Sequence, residues 1–228
     1  MKIRLAKYLA EHGLCSRRAA SRLIDEGRVL VNDRPANHID HVDAEDSIQV
    51  DGQPFVAATE KHYVLYHKPV GIDCNLNPEK ADSLYHLLQQ FPMRLFPVGR
   101  LDKDSCGLVL LTNDGELAQR LLHPDFFHEK TYQVTVDKTL TEQALAQLAS
   151  GVSWTVGPHH YQSRPCQVTQ CSEHSFDIVL TQGLNRQIRY MCRTQGLKVL
   201  QLKRVRLAQF QLGDLAEGCF QITTPGAA

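Results

Sequence analysis

Hydrophobic positions in the middle of the chain are spaced mainly as in β-strands. Residues 108–111 form an uninterrupted apolar run without helical periodicity, which is typical of a strand buried on both faces. Residues 130–136 alternate between polar and apolar side chains, as expected for a strand with one exposed face. The same reasoning predicts further strands over residues 28–31, 48–50, 63–66, 176–181, 198–209 and 219–223.

Helical spacing of apolar residues dominates the beginning of the chain. A stripe that starts at Ile3 predicts a first helix, and Gly13 provides its C-terminal stop. Ser16 is a suitable N-cap for a second helix over residues 17–26. The two helices and the short strands that follow predict a compact N-terminal unit.

Further helices are expected between the later strands. Thr139 and Glu142 have the spacing of a capping box, which predicts a helix from there to Gly151. The other predicted helices cover residues 83–90, 116–122 and 185–194. Because strands and helices do not alternate regularly, we expect an α+β fold on a mainly antiparallel mixed sheet rather than a doubly wound one.

The change of pattern near residue 52 predicts two domains. A small domain is expected over residues 1–52 and a larger one over residues 62–228, joined by a linker over residues 53–61 that shows no clear period. A chain of 228 residues is long enough for this division.

The charge is balanced overall but uneven along the chain. The formal net charge is zero, yet residues 1–34 contain eight Lys or Arg against four acids, and residues 178–213 contain seven Lys or Arg and no acid. Two local basic regions on a neutral chain indicate contacts with a polyanion at chosen places, although either region alone is also typical of a solvated charged face.

Cysteine usage and the beginning of the chain indicate the compartment. Seven cysteines, an odd number without a Cys-x-x-Cys pair, do not predict a disulfide framework. Cys166, Cys171 and His174 are too few and too loosely spaced to predict a metal site. No signal sequence or long apolar segment is visible, so we expect a reduced, cytoplasmic protein without membrane contact.

The loop before the apolar run of residues 108–111 is the first candidate for chemistry. Gly99 and Gly107 permit sharp backbone turns on either side of Asp102. A carboxylate beside Arg100 and Lys103 is expected to stay ionised because opposite charges favour its charged form, which suits a nucleophile. The alternative is a salt bridge that only fixes the loop.

Two further features compete with this loop. The predicted helix over residues 185–194 presents Arg186 and Arg189 three positions apart, so both can face one anionic group, or simply solvent. Tyr132 lies on a predicted strand and is either a functional phenol or a half-buried structural aromatic. Nucleotide-binding glycine motifs and a Gly-x-Ser-x-Gly nucleophile elbow are missing from the sequence.

The N-terminal region resembles a known RNA-binding family. The pattern Arg4-Leu5-x-Lys7-x-Leu9, then Gly13-x-x-Ser16-Arg17-Arg18-x-Ala20 and Gly27-x-Val29-x-Val31-Asn32, is similar to the α-L RNA-binding motif, the S-four-type domain. The resemblance implies that a basic helix docks on structured RNA through phosphates, which position a protein without reading sequence. The residues expected to bind RNA are Arg4, Lys7, Arg17, Arg18 and Arg22.

A second resemblance covers residues 62–206. The motif Gly99-Arg100-Leu101-Asp102-x-x-Ser105-x-Gly107-Leu108 resembles that of RNA pseudouridine synthases. Lys68-Pro69-x-Gly71, Glu129-Lys130-x-Tyr132-x-Val134 and Asn185-Arg186-Gln187-Ile188-Arg189-x-Met191 match the other motifs in order. Together they resemble the RsuA/RluB/RluE/RluF subfamily and most closely its RluF branch, except that Tyr190 stands where that branch usually has an arginine.

This resemblance implies a function and roles for single residues. The expected activity is isomerisation of a uridine in structured RNA to pseudouridine. The expected substrate is 23S ribosomal RNA, and the alternatives are 16S ribosomal RNA and tRNA. Asp102 is expected to be the nucleophile, Arg189 its salt-bridge partner and Tyr132 the group that stacks on uracil. Arg100 is expected to fill the gap left by the flipped uridine.

Other residues are assigned to binding on the same basis. Ile188 and Leu202 are expected to form apolar walls, and Lys68, Asn185 and Arg186 are expected to contact RNA.

Neither a metal nor an organic cofactor is implied, and we expect a monomer. The alternative from another class is a non-catalytic RNA-binding or ribosome-assembly factor.

Overall fold

The computed structural model describes residues 2–224 and shows an α+β protein, as predicted. The N-terminal unit contains two helices and short antiparallel strands. Its elements are β1 (Ile3–Arg4), α1 (Leu5–Glu11), α2 (Arg17–Asp25), β2 (Val29–Val31), β3 (Arg34–Pro35), β4 (His41–Val42), β5 (Ile48–Val50) and β6 (Gln53–Pro54). Because β6 pairs with β5, the first residues of the predicted linker are hydrogen-bonded to the N-terminal sheet.

The remaining elements are built around one large sheet. They are β7 (Tyr63–Lys68), α3 (Tyr85–Leu88), β8 (Phe96–Val98), β9 (Cys106–Thr112), α4 (Gly115–Leu122), a 3-10 turn (Pro124–Phe126), β10 (Lys130–Val136), α5 (Glu142–Ser150), β11 (Ser153–Val156), β12 (His159–Gln162), β13 (Gln167–Ser172), β14 (Ser175–Leu180), α6 (Gln187–Thr194), β15 (Val199–Leu207), β16 (Phe210–Gln211) and β17 (Phe220–Thr223).

The large sheet is mixed but mainly antiparallel, as the sequence predicts. Its main path runs β13-β14-β10-β15-β9-β7-β17, with β16 attached to β15 and β8 attached to β9. Among these pairings only β9 with β15 is parallel, through Cys106 opposite Lys203 and Gly107 opposite Arg204. This parallel contact joins the two halves of the sheet.

Strand β9 is the buried centre of its half of the sheet. All seven of its residues are buried, which confirms the prediction from the apolar run. Leu108 and Leu110 pack into one apolar cluster with α4, whereas Val109 and Leu111 pack into a second cluster on the other face. Because successive side chains of a strand point to opposite faces of the sheet, alternate residues of β9 pack into different apolar clusters.

Side-chain caps fix where several helices begin. The Ser16 hydroxyl accepts a hydrogen bond from the Ala19 amide at 3.1 Å, as expected for the predicted N-cap of α2. The predicted capping box at Thr139 is wrong by two positions, because α5 begins at Glu142 and Thr141 accepts from the Ala144 amide at 3.1 Å. A cap of this kind typically stabilises a helix by about 1 kcal/mol.

Within residues 2–224, none of the helices has the length and apolar character needed to cross a bilayer.

Candidate active site

The loop between β8 and β9 is held in a shape that requires glycine at both ends. Gly99 and Gly107 have φ values of +73° and +108°, which side-chain-bearing residues rarely adopt. A Cβ on Gly107 would lie 2.3 Å from the carbonyl oxygen of Arg204, so only glycine allows β9 to approach β15 this closely. The Ser105 amide donates to the carbonyl of Asp102 at 3.0 Å and closes the loop.

This loop forms one wall of a cleft of about 560 Å³. The opposite walls come from β10, β15 and the segment that leads into α6. The predicted site residues that line the cleft are Arg100, Asp102, Tyr132, Asn185, Arg186, Ile188 and Leu202. Residues from distant parts of the sequence are thus brought to one concave surface of a size usual for small-ligand sites.

The cation beside Asp102 is Arg186. The Asp102 side chain is 29% exposed, and its Oδ2 lies 3.9 Å from Nη1 of Arg186. The predicted neighbours do not serve this purpose: Lys103 forms an ion pair with Asp82, and Arg100 is exposed without an ion pair to any described residue.

The predicted ion pair between Asp102 and Arg189 is wrong. Within residues 2–224, Arg189 instead donates from Nη2 to the carbonyl of Asp104 at 2.7 Å and to Oγ of Ser105 at 3.1 Å. Its guanidinium also lies 3.3 Å from the Asp104 carboxylate. Because the Arg189 guanidinium is taken up by Asp104 and Ser105 of the same loop, it fixes the loop rather than the candidate nucleophile.

Asp104 is a residue that sequence reasoning missed. Its carboxylate accepts two hydrogen bonds from Arg186, at 3.1 and 2.7 Å, in the paired geometry that arginine favours. Partial burial acts to raise the pKa of Asp104, but the hydrogen bond from Arg186 and the charges of Arg189 and Arg186 outweigh burial and lower it. The sequence does contain a hint of this contact. A second acid stands two positions after Asp102, and the predicted helix over residues 185–194 has arginines but no acid to pair with them.

The backbone of Arg186 is strained where it enters helix α6. Its φ of +50° and ψ of +28° place it in the left-handed region, which residues other than glycine occupy at a cost of about 1–3 kcal/mol. The Arg186 side chain does not cap the helix, so it is free to reach Asp104 and Asp102. Strain of this kind at a cleft is characteristic of functional positions.

Tyr132 lies across the cleft on β10. It pairs with Arg204 on β15 and with Ile178 on β14, which places it centrally in the sheet. Its ring is partly buried between two apolar clusters. Ile188 and Leu202 are 4% and 6% exposed, so they form apolar parts of the cleft wall.

Lys68 does not contact solvent, and the prediction that it binds RNA is wrong. Its side chain is fully buried, and its ammonium group donates to the carbonyls of Pro69 at 2.8 Å and Ile72 at 2.7 Å. Burial lowers the pKa of Lys68, although nearby thiols and carboxylates oppose the shift. Lys68 therefore stabilises the turn after β7 from inside by binding two of its carbonyl groups.

Two further cations in the cleft were not assigned from sequence. Arg204 is 3% exposed and donates from Nε to the carbonyl of Leu108 at 2.8 Å, while its Nη2 has no hydrogen-bond partner within residues 2–224. Lys130 also lines the cleft, and burial together with the charge of Arg204 lowers its pKa. Neither Arg204 nor Lys130 forms an ion pair with a carboxylate in the part of the chain described, so both contribute positive charge to the cleft.

The predicted RNA-binding residues of the N-terminal unit lie outside the cleft. Arg4, Arg17, Arg18 and Arg22 are exposed, and Lys7 is partly buried. Lys7 and Arg17 both lie near Glu11, at 3.5 and 3.6 Å. Arg18 and Arg22 have no ion pair with any residue in the range 2–224, and the first turn of α2 contains no acid. An unneutralised basic helix suits an anionic surface.

Tyr190 turns away from the cleft. Its ring stacks almost parallel on Trp154, with centroids 6.2 Å apart and an interplanar angle of 7°. Tyr190 therefore helps to pack α6 against the hairpin of β11 and β12. No cluster of three or more potential metal ligands is found among the described residues.

Comparisons with known proteins cover both parts of the chain. Residues 62–194 match the family described as RNA pseudouridylate synthase, and residues 3–48 match the S4 domain. The dual-specificity RNA pseudouridine synthase RluF of Escherichia coli (strain K12) is 39% identical over 95% of this chain and 73% of its own length. The ribosomal large subunit pseudouridine synthase B of Bacillus subtilis (strain 168) is 34% identical over 97% of this chain and 92% of its own length.

A solved structure shows the same architecture. The crystal structure of a pseudouridylate synthase aligns with a TM-score of 0.68 at 27% identity and covers 97% of this chain and 96% of that chain. The family match over residues 62–194 includes the loop with Asp102, Tyr132 and helix α6, and the part of the cleft wall formed by β15 follows it. The chain therefore belongs to the RNA pseudouridylate synthase family and is an RNA pseudouridine synthase with an N-terminal S4 domain.

Proposed function

We propose that this enzyme converts a uridine of large-subunit (23S) ribosomal RNA into pseudouridine, with Asp102 as the nucleophile. The observation that carries the proposal is the position of Asp102, a partly exposed carboxylate that shares a cleft with Tyr132 and has Arg186 as its nearest cation at 3.9 Å. The name of the B. subtilis relative, which refers to the large ribosomal subunit, supports the choice of RNA.

The reaction balances without an external oxidant or reductant. The bond between C1′ and N1 breaks, a bond between C1′ and C5 forms, C5 loses a proton and N1 gains one. We therefore propose no cofactor. An ionised Asp102 attacks either C1′ or the base, and both routes need the carboxylate to face the glycosidic bond.

The cleft offers complementary groups for the flipped uridine. Tyr132 stacks on the uracil and is placed to take the proton from C5 late in the reaction. Ile188 and Leu202 enclose the base with apolar surface, which excludes water. Arg100, exposed at the edge of the cleft, fills the gap that the uridine leaves in the RNA.

The remaining polar groups hold the loop and the RNA. Arg189 keeps the loop in place through Asp104 and Ser105, and it does so without touching Asp102. Asn185 and Arg186 line the cleft where the RNA backbone passes. The exposed arginines of α2 and Arg4 extend the binding surface to the S4 domain.

The central test replaces Asp102 by asparagine. Asp102→Asn keeps the shape of the side chain but removes its charge, so pseudouridine formation is expected to stop while RNA affinity stays close to that of the wild type. The measurement is chemical mapping of pseudouridine in cells that lack the gene and carry either form. Asp214→Asn, an exposed carboxylate outside the cleft, is the matched control.

The same mapping separates the alternatives. A deletion strain that loses no pseudouridine in any RNA indicates a non-catalytic RNA-binding or ribosome-assembly factor. A loss confined to 16S ribosomal RNA or to tRNA assigns a different substrate. Pseudouridine made by Asp102→Asn at the wild-type rate contradicts the proposed nucleophile.

We further propose that the enzyme acts as a monomer in the cytoplasm, with an RNA-binding domain over residues 1–52, a linker over residues 53–61 and a catalytic domain over residues 62–228. Within residues 2–224 the strands of the N-terminal unit pair only with one another, which supports two domains, while the pairing of β6 with β5 argues that the first domain extends to Pro54. Light scattering on the purified protein and limited proteolysis test the oligomeric state and the boundaries.

A further inference from the structure

The segment between α4 and β10 presents two phenylalanines to solvent at the edge of the cleft. Phe126 and Phe127 are 56% and 54% exposed. Leu122 and Lys130, at the two ends of this segment, both line the cleft. The rings therefore lie on a segment whose two ends line the cleft that holds Asp102, and neither phenylalanine belongs to a buried apolar cluster of the described residues.

The backbone holds Phe127 in an unfavourable conformation. Its φ of +51° and ψ of +31° lie in the left-handed region, where a bulky aromatic residue is rare and asparagine, aspartate or glycine are common. Burial in an apolar core does not explain this conformation, because Phe127 is 54% exposed and the group that lies over its ring is the guanidinium of Arg164. A costly conformation that ends in an exposed ring points to a contact made with a ligand.

Arg164 completes this surface. Its guanidinium carbon lies 4.6 Å from the centre of the Phe127 ring. No carboxylate forms an ion pair with Arg164 in residues 2–224, and its enclosed Nη1 has no hydrogen-bond partner there. The Arg164 amide donates to Oε1 of Gln182 at 2.9 Å, and Gln182 lines the cleft. We call Phe126, Phe127 and Arg164 the aromatic platform.

We propose that the aromatic platform binds an unpaired nucleobase adjacent to the target uridine in the substrate RNA, an inference that rests on the proposed function. A nucleobase has a flat π-face that stacks on exposed aromatic rings, and its phosphate is attracted by the unpaired charge of Arg164. Flipping of the target disrupts the stack around it, so a neighbouring base is free to be held.

The charge distinguishes this ligand from an apolar protein segment. A protein anchor that buries the two rings gains nothing from an arginine whose charge is left without a counterion. RNA supplies both the stacking surface and the negative charge in one nucleotide. The platform also adjoins the cleft directly, so a base bound there belongs to the strand that carries the uridine.

The test uses two variants with different structural consequences. Phe126→Ala removes an exposed ring. Phe127→Asn removes the other ring and places a residue that tolerates the left-handed conformation, so its melting temperature is expected to equal or exceed that of the wild type. Each variant is expected to raise KM for protein-free large-subunit ribosomal RNA from a deletion strain by about fivefold or more, with kcat nearly unchanged.

Matched variants control for loss of structure. Phe127→Tyr keeps the aromatic ring and is expected to retain the wild-type KM. Phe220→Ala removes a partly exposed phenylalanine from the edge strand β17, outside the cleft, and is also expected to retain it. A KM within about twofold of wild type for both platform variants overturns the inference.

The outcome also separates this inference from the function on which it rests. A wild-type enzyme that makes no pseudouridine in this RNA overturns both proposals. An active wild type with unaffected platform variants overturns only the platform. A defect seen with assembled ribosomal subunits but not with protein-free RNA assigns the platform to a protein partner and overturns the nucleobase.

Discussion

At the scale of single residues, Asp104 organises the contact between the loop and helix α6. It holds Arg186 by two hydrogen bonds and lies 3.3 Å from Arg189, while Arg186 remains within 3.9 Å of Asp102. The pKa of Asp104 is held below its ordinary value, so the carboxylate is charged at neutral pH. The contact is lost only as the pH falls through that lowered pKa.

Neutralising Asp104 is therefore expected to slow the reaction without preventing folding. Asp104→Asn leaves an acceptor for one hydrogen bond but removes the charge that positions both arginines, and a decrease of about tenfold to a hundredfold in the single-turnover rate at saturating enzyme is expected. Asp104→Glu, which keeps the charge, is expected to restore part of the rate. The rate is measured from the amount of pseudouridine formed in reactions that are quenched at successive times.

A matched control separates this effect from general weakening of the loop. Asp82→Asn breaks the ion pair of Asp82 with Lys103 on the same loop but touches neither arginine. It is expected to react at nearly the wild-type rate. Equal rates for Asp104→Asn and Asp82→Asn contradict the positioning role of Asp104.

Residue identities allowed some of these positions to be predicted and not others. Asp102 and Tyr132 stand in motifs whose types and spacing suggest their chemistry, and both line the cleft. The partner of Arg189 was predicted wrongly because 85 positions separate it from Asp104, and sequence gives no distance across such a separation. Lys68 was misassigned because a lysine is rarely buried completely.

At the scale of elements, the approach of β9 to β15 depends on Gly107. Its Cβ would lie 2.3 Å from the Arg204 carbonyl oxygen and 2.5 Å from the Arg204 nitrogen, and its φ is +108°. The contact is between backbones, so no side-chain movement relieves it. The junction between the two halves of the sheet thus has no room for a methyl group.

Gly107→Ala is expected to destabilise the protein by about 2–6 kcal/mol, because overpacking and backbone strain act together. Urea denaturation measures the change. Gly183→Ala is the control, since Gly183 has an ordinary φ and no described atom lies within 4 Å of the position that its methyl group would take. A change within about 0.5 kcal/mol is expected there. Similar stabilities for the two variants contradict the close approach.

Elements with strong patterns were predicted well, and elements without one were missed. Helix α2 and strands β9 and β10 follow their caps and apolar periods. Strands β11, β12 and β13 were not predicted, because most of their side chains are polar and exposed and show no alternation. The parallel pairing of β9 with β15 has no local signal at all.

At the scale of the whole molecule, the protein has no net charge, but its charges are unevenly placed and helix α2 carries arginines that are unpaired within residues 2–224. Arg18 and Arg22 on α2 have no ion pair among the described residues, whereas Arg28 in the same unit is neutralised by Asp51 and Glu26. Exposed arginines of one unit thus differ in whether their charge is already neutralised by a carboxylate of the protein.

Salt dependence of binding is expected to reveal this difference. Arg18→Ala removes a phosphate contact, so the slope of log affinity against log salt concentration is expected to fall by about 1, with kcat unchanged. Arg28→Ala removes a charge already neutralised, so its slope is expected to equal that of the wild type. Filter binding of ribosomal RNA at several salt concentrations gives both slopes, and equal changes contradict the assignment of α2.

The parallel contact between β9 and β15 also means that the cleft cannot be complete before β15 has been synthesised. The S4 domain is built from short-range pairings and is complete once the first part of the chain has been made. Asp102 is translated long before Arg186, Arg189 and β15. Its loop can pair early with Asp82 through Lys103, but the arginines of α6 and the contact with β15 become available only later. A growing chain therefore acquires its RNA-binding surface first and its catalytic cleft near the end of translation.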